Sequence, residues 1–130
     1  MASRRKGRIL AFQALYAWDI SGSLPSDTAS DEDAELTDFS RLLIFGVIEN
    51  ISAIDEMIRK HLENWDISRL NRVDLAIIRM SVYALMYQPD TAPSIVINEA
   101  VGISQEFGTD DSYRFINGVL DGIRKTIAGI

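Results

Sequence analysis

The chain has 130 residues, 47% of them hydrophobic, with three prolines and no cysteine. One domain of this length buries about two-thirds of its unfolded surface, enough for a core without disulfide staples, and the missing cysteines exclude thiolate metal sites and cysteine nucleophiles. A formal net charge of −6 excludes a protein that coats nucleic acid over its whole surface. No apolar run approaches the roughly 18 residues of a membrane span and no signal-like core follows the first basic residues, so a soluble, cytoplasmic protein is expected.

Ser3 to Ile20 predicts the first helix. Its front end carries Arg4, Arg5, Lys6 and Arg8 with no acid among them, and the body behind it is strongly acidic. Such asymmetry suggests an interaction arm. Phe12, Leu15, Tyr16 and Ile20 then recur at helical spacing, widened by Ile9, Ala11, Ala14 and Trp18, and predict a helix buried over most of its girth. Ser3 fits an N-cap. The cations oppose the helix macrodipole by a few tenths of a kcal/mol each, and Gly7 costs roughly 1 kcal/mol relative to alanine. The free arm is therefore expected to fray and to order on a polyanion. A solubilising terminus is the alternative on charge alone.

Ser21 to Glu35 is rich in Ser, Gly, Pro and acid and predicts a loop; its acids lack the spacing of a calcium-binding loop, so a solvated linker is the reading. Phe39, Leu42, Leu43, Val47, Ile51, Ile54, Met57, Ile58 and Leu62 predict one long helix, or two broken near Gly46 or Asn50. His61, the only histidine, is read as a partly exposed helix-end residue. After a connection at Asn64 to Ser68, the stripe Leu70, Val73, Ala76, Ile77, Met80, Ala84 and Tyr87 predicts a helix with Asp74 and Arg79 off its apolar side. Pro93 opens the next helix, to about Glu106, with Gly108 as a C-cap candidate. Thr109, Asp110 or Asp111 caps the last, whose stripe is Phe115, Ile116, Val119, Leu120, Ile123 and Ile127. No credible strand occurs, and an all-α bundle follows.

No glycine-rich phosphate loop, nucleophile elbow or zinc-protease pattern is present. The acids fall in the loop or off the apolar stripes, without an obvious buried pair for acid–base work. No catalytic residue, cofactor or metal site is expected, and a binding protein is favoured over an enzyme.

Several runs in order resemble the NusB family of bacterial transcription antitermination and ribosomal RNA biogenesis factors. Arg8, Ala11, Gln13, Ala14, Leu15 and Tyr16 behind the arm are similar to that family's start. Phe39 to Gly46 resembles its Phe-to-Gly element with leucine between, Val73 to Arg79 its V-D-x-A-I-L-R element, and Ile97 to Val101 its I-N-E-A-V element. Phe107-Gly108, Ser112 and Phe115 to Asp121 complete the set. Only Ser21 to Glu35 lies outside the match. Lys6 stands within the usual arginine run, and Gly102 replaces a longer polar residue in mid-helix.

The resemblance implies two three-helix bundles packed across each other, about 1–63 and 66–130, forming a single RNA-binding domain. It implies a non-enzymatic adaptor that pairs with the ribosomal protein NusE and holds a boxA-type single-stranded RNA, keeping RNA polymerase elongating with other Nus factors. Carried over by position, Arg4, Arg5, Lys6 and Arg8 fall on the arginine-rich RNA motif, Tyr16, Asp111 and Phe115 near the RNA, and Asp74 on the helix facing NusE. By spacing alone Tyr16 and Phe115 read as core, Asp111 as an N-cap, and Asp74 as an exposed acid beside Arg72. Two alternatives stay open: the RNA-binding module of a ribosomal RNA cytosine methyltransferase, which would need an appended methyl-donor domain, and a self-associating homodimeric bundle.

Overall fold

The computed structural model describes residues 3–23, 34–63 and 66–129. Within them the chain forms α1 (Arg4–Ser21), α2 (Ala34–Glu49), α3 (Ile51–Arg59), a 3-10 turn (Ile67–Arg69), α4 (Arg72–Tyr87), α5 (Pro93–Phe107) and α6 (Ser112–Ala128), and no strand. No described helix is long and apolar enough to cross a membrane. Most of the expected loop, 24–33, lies outside the described residues, as do Asn64 and Trp65 of the predicted connection. Ala34 and Glu35 already belong to α2.

The helix boundaries follow local chemistry. Ser3 accepts the Arg5 N–H at 3.2 Å and caps α1. The break expected at Gly46 or Asn50 falls at Asn50, whose backbone leaves the helical region at φ −113°, ψ 20°. Asn71 Oδ1 accepts the Val73 and Asp74 N–H groups and caps α4, and Pro93 sits in the first turn of α5. Gly108 ends α5, but with extended rather than left-handed backbone. Asp111 occupies the N-cap position of α6 without a side-chain cap bond; Ser112 Oγ instead accepts the Thr109 N–H at 2.9 Å.

The core is one continuous cluster, and α4 is its axis. That helix touches α1, α2, α3, α5 and α6, while α5 and α6 pair with each other and α1 packs on α2. Every residue of α4 from Asp74 to Leu85 is buried. Leu75, Ile77 and Ile78 are fully enclosed, each worth about 1.5–3 kcal/mol of apolar burial. Asp74 and Arg79, expected off the apolar side, are therefore inside. A helix surrounded on all sides has no solvent face to give its charged residues.

For α1 the correction runs the other way. Its buried residues are Gly7, Arg8, Ala11, Phe12 and Leu15, whereas Leu10, Tyr16 and Ile20 are exposed, Ile20 to 60%. Its main neighbours, α2 and α4, with the edge of α5, cover only part of its girth.

Candidate nucleic-acid interface

The basic arm is the first two turns of α1 rather than a frayed tail, because its side chains are anchored. Phe39 of α2 lies under two guanidinium groups, with Arg4 4.5 Å and Arg8 5.5 Å from its ring centroid, and such contacts are worth about 0.5–1 kcal/mol or more. Ser40 Oγ donates to the Gly7 carbonyl at 3.0 Å, tying the same turn to α2. On the other flank Arg5 Nε lies 2.5 Å from Glu99 Oε2 of α5. These contacts offset the unfavourable placement of cations at a helix N-terminus. Lys6 is exposed.

Arg8 differs from its neighbours in being buried, at 9% exposure. Burial pushes its guanidinium below the ordinary arginine value; Glu99 opposes that, and Arg4 and Arg5 reinforce it. Its cationic head supports the local field and holds the arm against Phe39. Phe39 and Glu99 stand in runs that resemble the family but were given no place at the interface, since a helix-face aromatic and a helix acid carry no such signal until α2 and α5 are brought to α1.

Tyr16 lies about 18 Å along α1 from Arg4, at 1.5 Å per residue. It is exposed and lines a shallow cleft of about 190 Å³ with Phe12, Gln13, Val73 and Phe107. Phe12 and Phe107 meet edge to face with centroids 5.3 Å apart, joining α1 to the end of α5. Beyond Val73 and Phe107 a second cleft of about 340 Å³ is lined by Arg69, Leu70, Asn71, Asp74, Thr109, Asp111, Ser112 and Phe115. Asp74, Asp111 and Phe115, from α4, the α6 N-cap and α6, thus share one depression. Phe115 is partly buried and packs against the core with its edge in the cleft, and Asp111 is exposed.

Asp74 sits at the floor, 7% exposed. Its Oδ1 is buried without a hydrogen bond. Burial raises its carboxyl above the usual aspartate value, an effect only partly offset by the Ser112 hydroxyl. Arg69 is the cation among the lining residues, a position for which the sequence offered no cue because the 3-10 turn that presents it has no periodicity. Among the described residues no group of three His, Asp or Glu side chains is placed to hold a metal ion. His61 keeps its expected place at a helix end, partly exposed, bonding the Met57 carbonyl at 2.9 Å and Thr126 Oγ1 of α6 at 2.8 Å.

Arm, aromatic cleft and acid-floored cleft follow one another along the seam between α1, the end of α5 and the start of α6. The chemistry changes along it from cations to aromatic rings to carboxylates. The NusB family model matches residues 5–125. The transcription antitermination protein NusB of Treponema denticola is 52% identical, over 93% of this chain and 95% of its own. Among solved structures, T. maritima NusB superposes with a TM-score of 0.84 at 31% identity, covering 95% of this chain and 92% of its own. One chain from a structure of the antitermination factors NusB and NusE in complex with double-stranded RNA superposes at 0.83 and 27% identity, covering 95% of this chain and 96% of its own. The chain belongs to the NusB family.

Proposed function

We propose that this protein is a non-enzymatic transcription antitermination factor, an adaptor that holds boxA-type single-stranded RNA in company with the ribosomal protein NusE. In this reading it works in the cytoplasm on nascent ribosomal RNA and keeps RNA polymerase elongating with other Nus factors. Its two halves, about 1–63 and 66–130, act as one RNA-binding domain.

The observation that carries the reading is the ordered seam. Arg4, Arg5, Lys6 and Arg8 supply phosphate neutralisation, which gives affinity with little sequence choice. Tyr16 and Phe115 present rings at the clefts, where an unpaired base stacks for roughly 1–3 kcal/mol. Asp111, exposed at the rim of the second cleft, is an acceptor for an exocyclic amine. Asp74 enters α4 where the cleft floor begins, and we assign it to the NusE side through the shape of that floor rather than as an exposed contact. That a chain from a structure of NusB and NusE with double-stranded RNA superposes on this one supports the choice of partner.

The test is titration of a labelled boxA-like single-stranded RNA, with and without NusE, over a salt series. The comparison protein has Arg4, Arg5, Lys6 and Arg8 changed to Ala. At roughly 0.7 per phosphate contact on single strands, the variant's log–log salt slope becomes shallower by up to about 3 units, and NusE tightens binding by the parent protein. An unchanged slope together with indifference to NusE would overturn the assignment.

A further inference from the structure

The four cations of the arm are not equivalent. Among the described residues, Arg5 is the arm cation held by an acid: its Nε lies against Glu99 Oε2 at 2.5 Å, with the two side chains 38% and 26% exposed. Its guanidinium also covers Gly102, one turn further along α5. A Cβ built on Gly102 would stand 2.5 Å from Nη2, 2.8 Å from Nη1 and 3.0 Å from Cζ of Arg5. The whole head group therefore occupies space that any side chain at position 102 would claim. Gly102, a poor residue for mid-helix by roughly 1 kcal/mol, makes the seat.

The seat is not a saturated one. Glu99 Oε2 is buried and receives no aligned hydrogen bond, so Arg5 and Glu99 attract by charge without the bidentate geometry that makes arginine–carboxylate pairs strong. A phosphate that offers two aligned oxygens is the better partner for the guanidinium. Taking it, however, leaves Glu99 partly buried beside the incoming anion, with Arg8 as its remaining cationic neighbour. Arg4, Lys6 and Arg8 make no ion pair with a described acid; Arg4 and Arg8 rest on Phe39 instead.

We infer that Glu99 acts as an internal stand-in for a phosphate, latching Arg5 onto the Gly102 seat, so that the arm meets RNA as a three-cation clamp whose fourth charge is held in reserve. The inference rests on the RNA-binding reading above and assigns Glu99 and Gly102 a role in it as positioning residues. The latch weakens general attraction for polyanions and reserves Arg5 for a strand that places a phosphate directly over α5.

A double-mutant cycle tests this. A fluorescein-labelled single-stranded RNA is titrated by anisotropy over a potassium chloride series with the parent protein, Arg5→Ala, Glu99→Gln and the double variant. Glu99→Gln binds RNA more tightly and steepens the salt slope by about 0.7. Arg5→Ala alone changes the slope by less than half of that, but removes the full increment in the Glu99→Gln background. Gly102→Ala, which pushes the guanidinium off α5 while keeping the acid, moves the slope in the same direction as Glu99→Gln by a smaller amount. A cycle in which Arg5→Ala costs the full 0.7 in the parent, or in which Glu99→Gln weakens binding, overturns the latch and leaves the adaptor reading standing. A parent protein that binds no RNA at any salt overturns both.

Discussion

Replacing Arg79 should be the most damaging single change outside the apolar core. Arg79 of α4 makes two parallel bonds to Asp55 of α3, Nε to Oδ1 and Nη2 to Oδ2, each 2.9 Å. Its Nη1 reaches Asp19 of α1 at 3.3 Å, and Asp19 is shared with Arg72 at 3.2 Å. The side chains of Arg79, Asp55 and Asp19 are only 10, 12 and 17% exposed. One cation thus ties three helices together from inside. In the Arg79→Met variant Asp19 keeps Arg72, but Asp55 is left as a buried charge without its cation. Breaking a buried pair on one side costs about 3–5 kcal/mol, whereas replacing both partners by apolar groups of similar volume is often neutral. The single variant should then lose about 3–5 kcal/mol and Arg79→Met with Asp55→Leu markedly less. For a chain of this size the single loss lowers Tm by roughly 10–20 °C, from an unfolding entropy of about 2.1 cal/mol/K per residue. Urea denaturation followed by circular dichroism reads both values, with the slope m checked for constancy. A single-variant loss under about 1 kcal/mol, or a double variant worse than the single, would refute the claim that an uncompensated Asp55 is the cause.

Three further outcomes are expected. Because burial raises the Asp74 carboxyl above its unfolded value, the native state binds the extra proton, and the stability this contributes is fully present below the unfolded value of about 3.9 and is lost as pH rises through the folded one. Asp74→Asn has no such loss, so its stability relative to the parent should rise as pH goes from 4 to 7 in parallel urea titrations; a constant difference would contradict the raised carboxyl. Phe115→Ala should weaken single-stranded RNA binding by about 1–3 kcal/mol without changing the salt slope, since a stacked ring neutralises no phosphate; an unchanged affinity would remove Phe115 from the RNA. Gly46→Ala should lower stability by about 1–3 kcal/mol, because a Cβ there falls 2.3–2.6 Å from two ring carbons and the hydroxyl of the buried Tyr83; a stabilised variant by thermal denaturation would show that α2 and α4 can part at no cost.

Periodicity carried most of the fold. The helices sit where apolar residues recur every three or four positions, and Ser3, Asn50, Pro93 and Gly108 mark ends that local chemistry already favours. It misread α1 because a stripe records which residues are apolar, not how many neighbours arrive to cover them; Ile20 and Tyr16 remain in the open. It misread α4 for the converse reason. A helix with five neighbours must bury most of what the sequence puts there: Arg79 is inside between α1 and α3, and Asp74 lies at the floor of a cleft shared with the start of α6. The same limit applies to the interface. Arm charge is local and was legible, whereas the partners that shape it, Phe39 under Arg4 and Arg8 and Glu99 beside Arg5, stand about 30 and 90 residues away. Gly46 and Gly102 make the point most directly. Each reads as a mid-helix glycine in the sequence, yet one faces a rigid buried ring and the other the movable end of a half-exposed arginine. A methyl group at Gly46 must force two helices apart, while one at Gly102 need only turn a side chain. Glycine therefore lets a core close in one place and seats an arginine of the basic arm in the other, and the difference lies wholly in what the fold brings opposite.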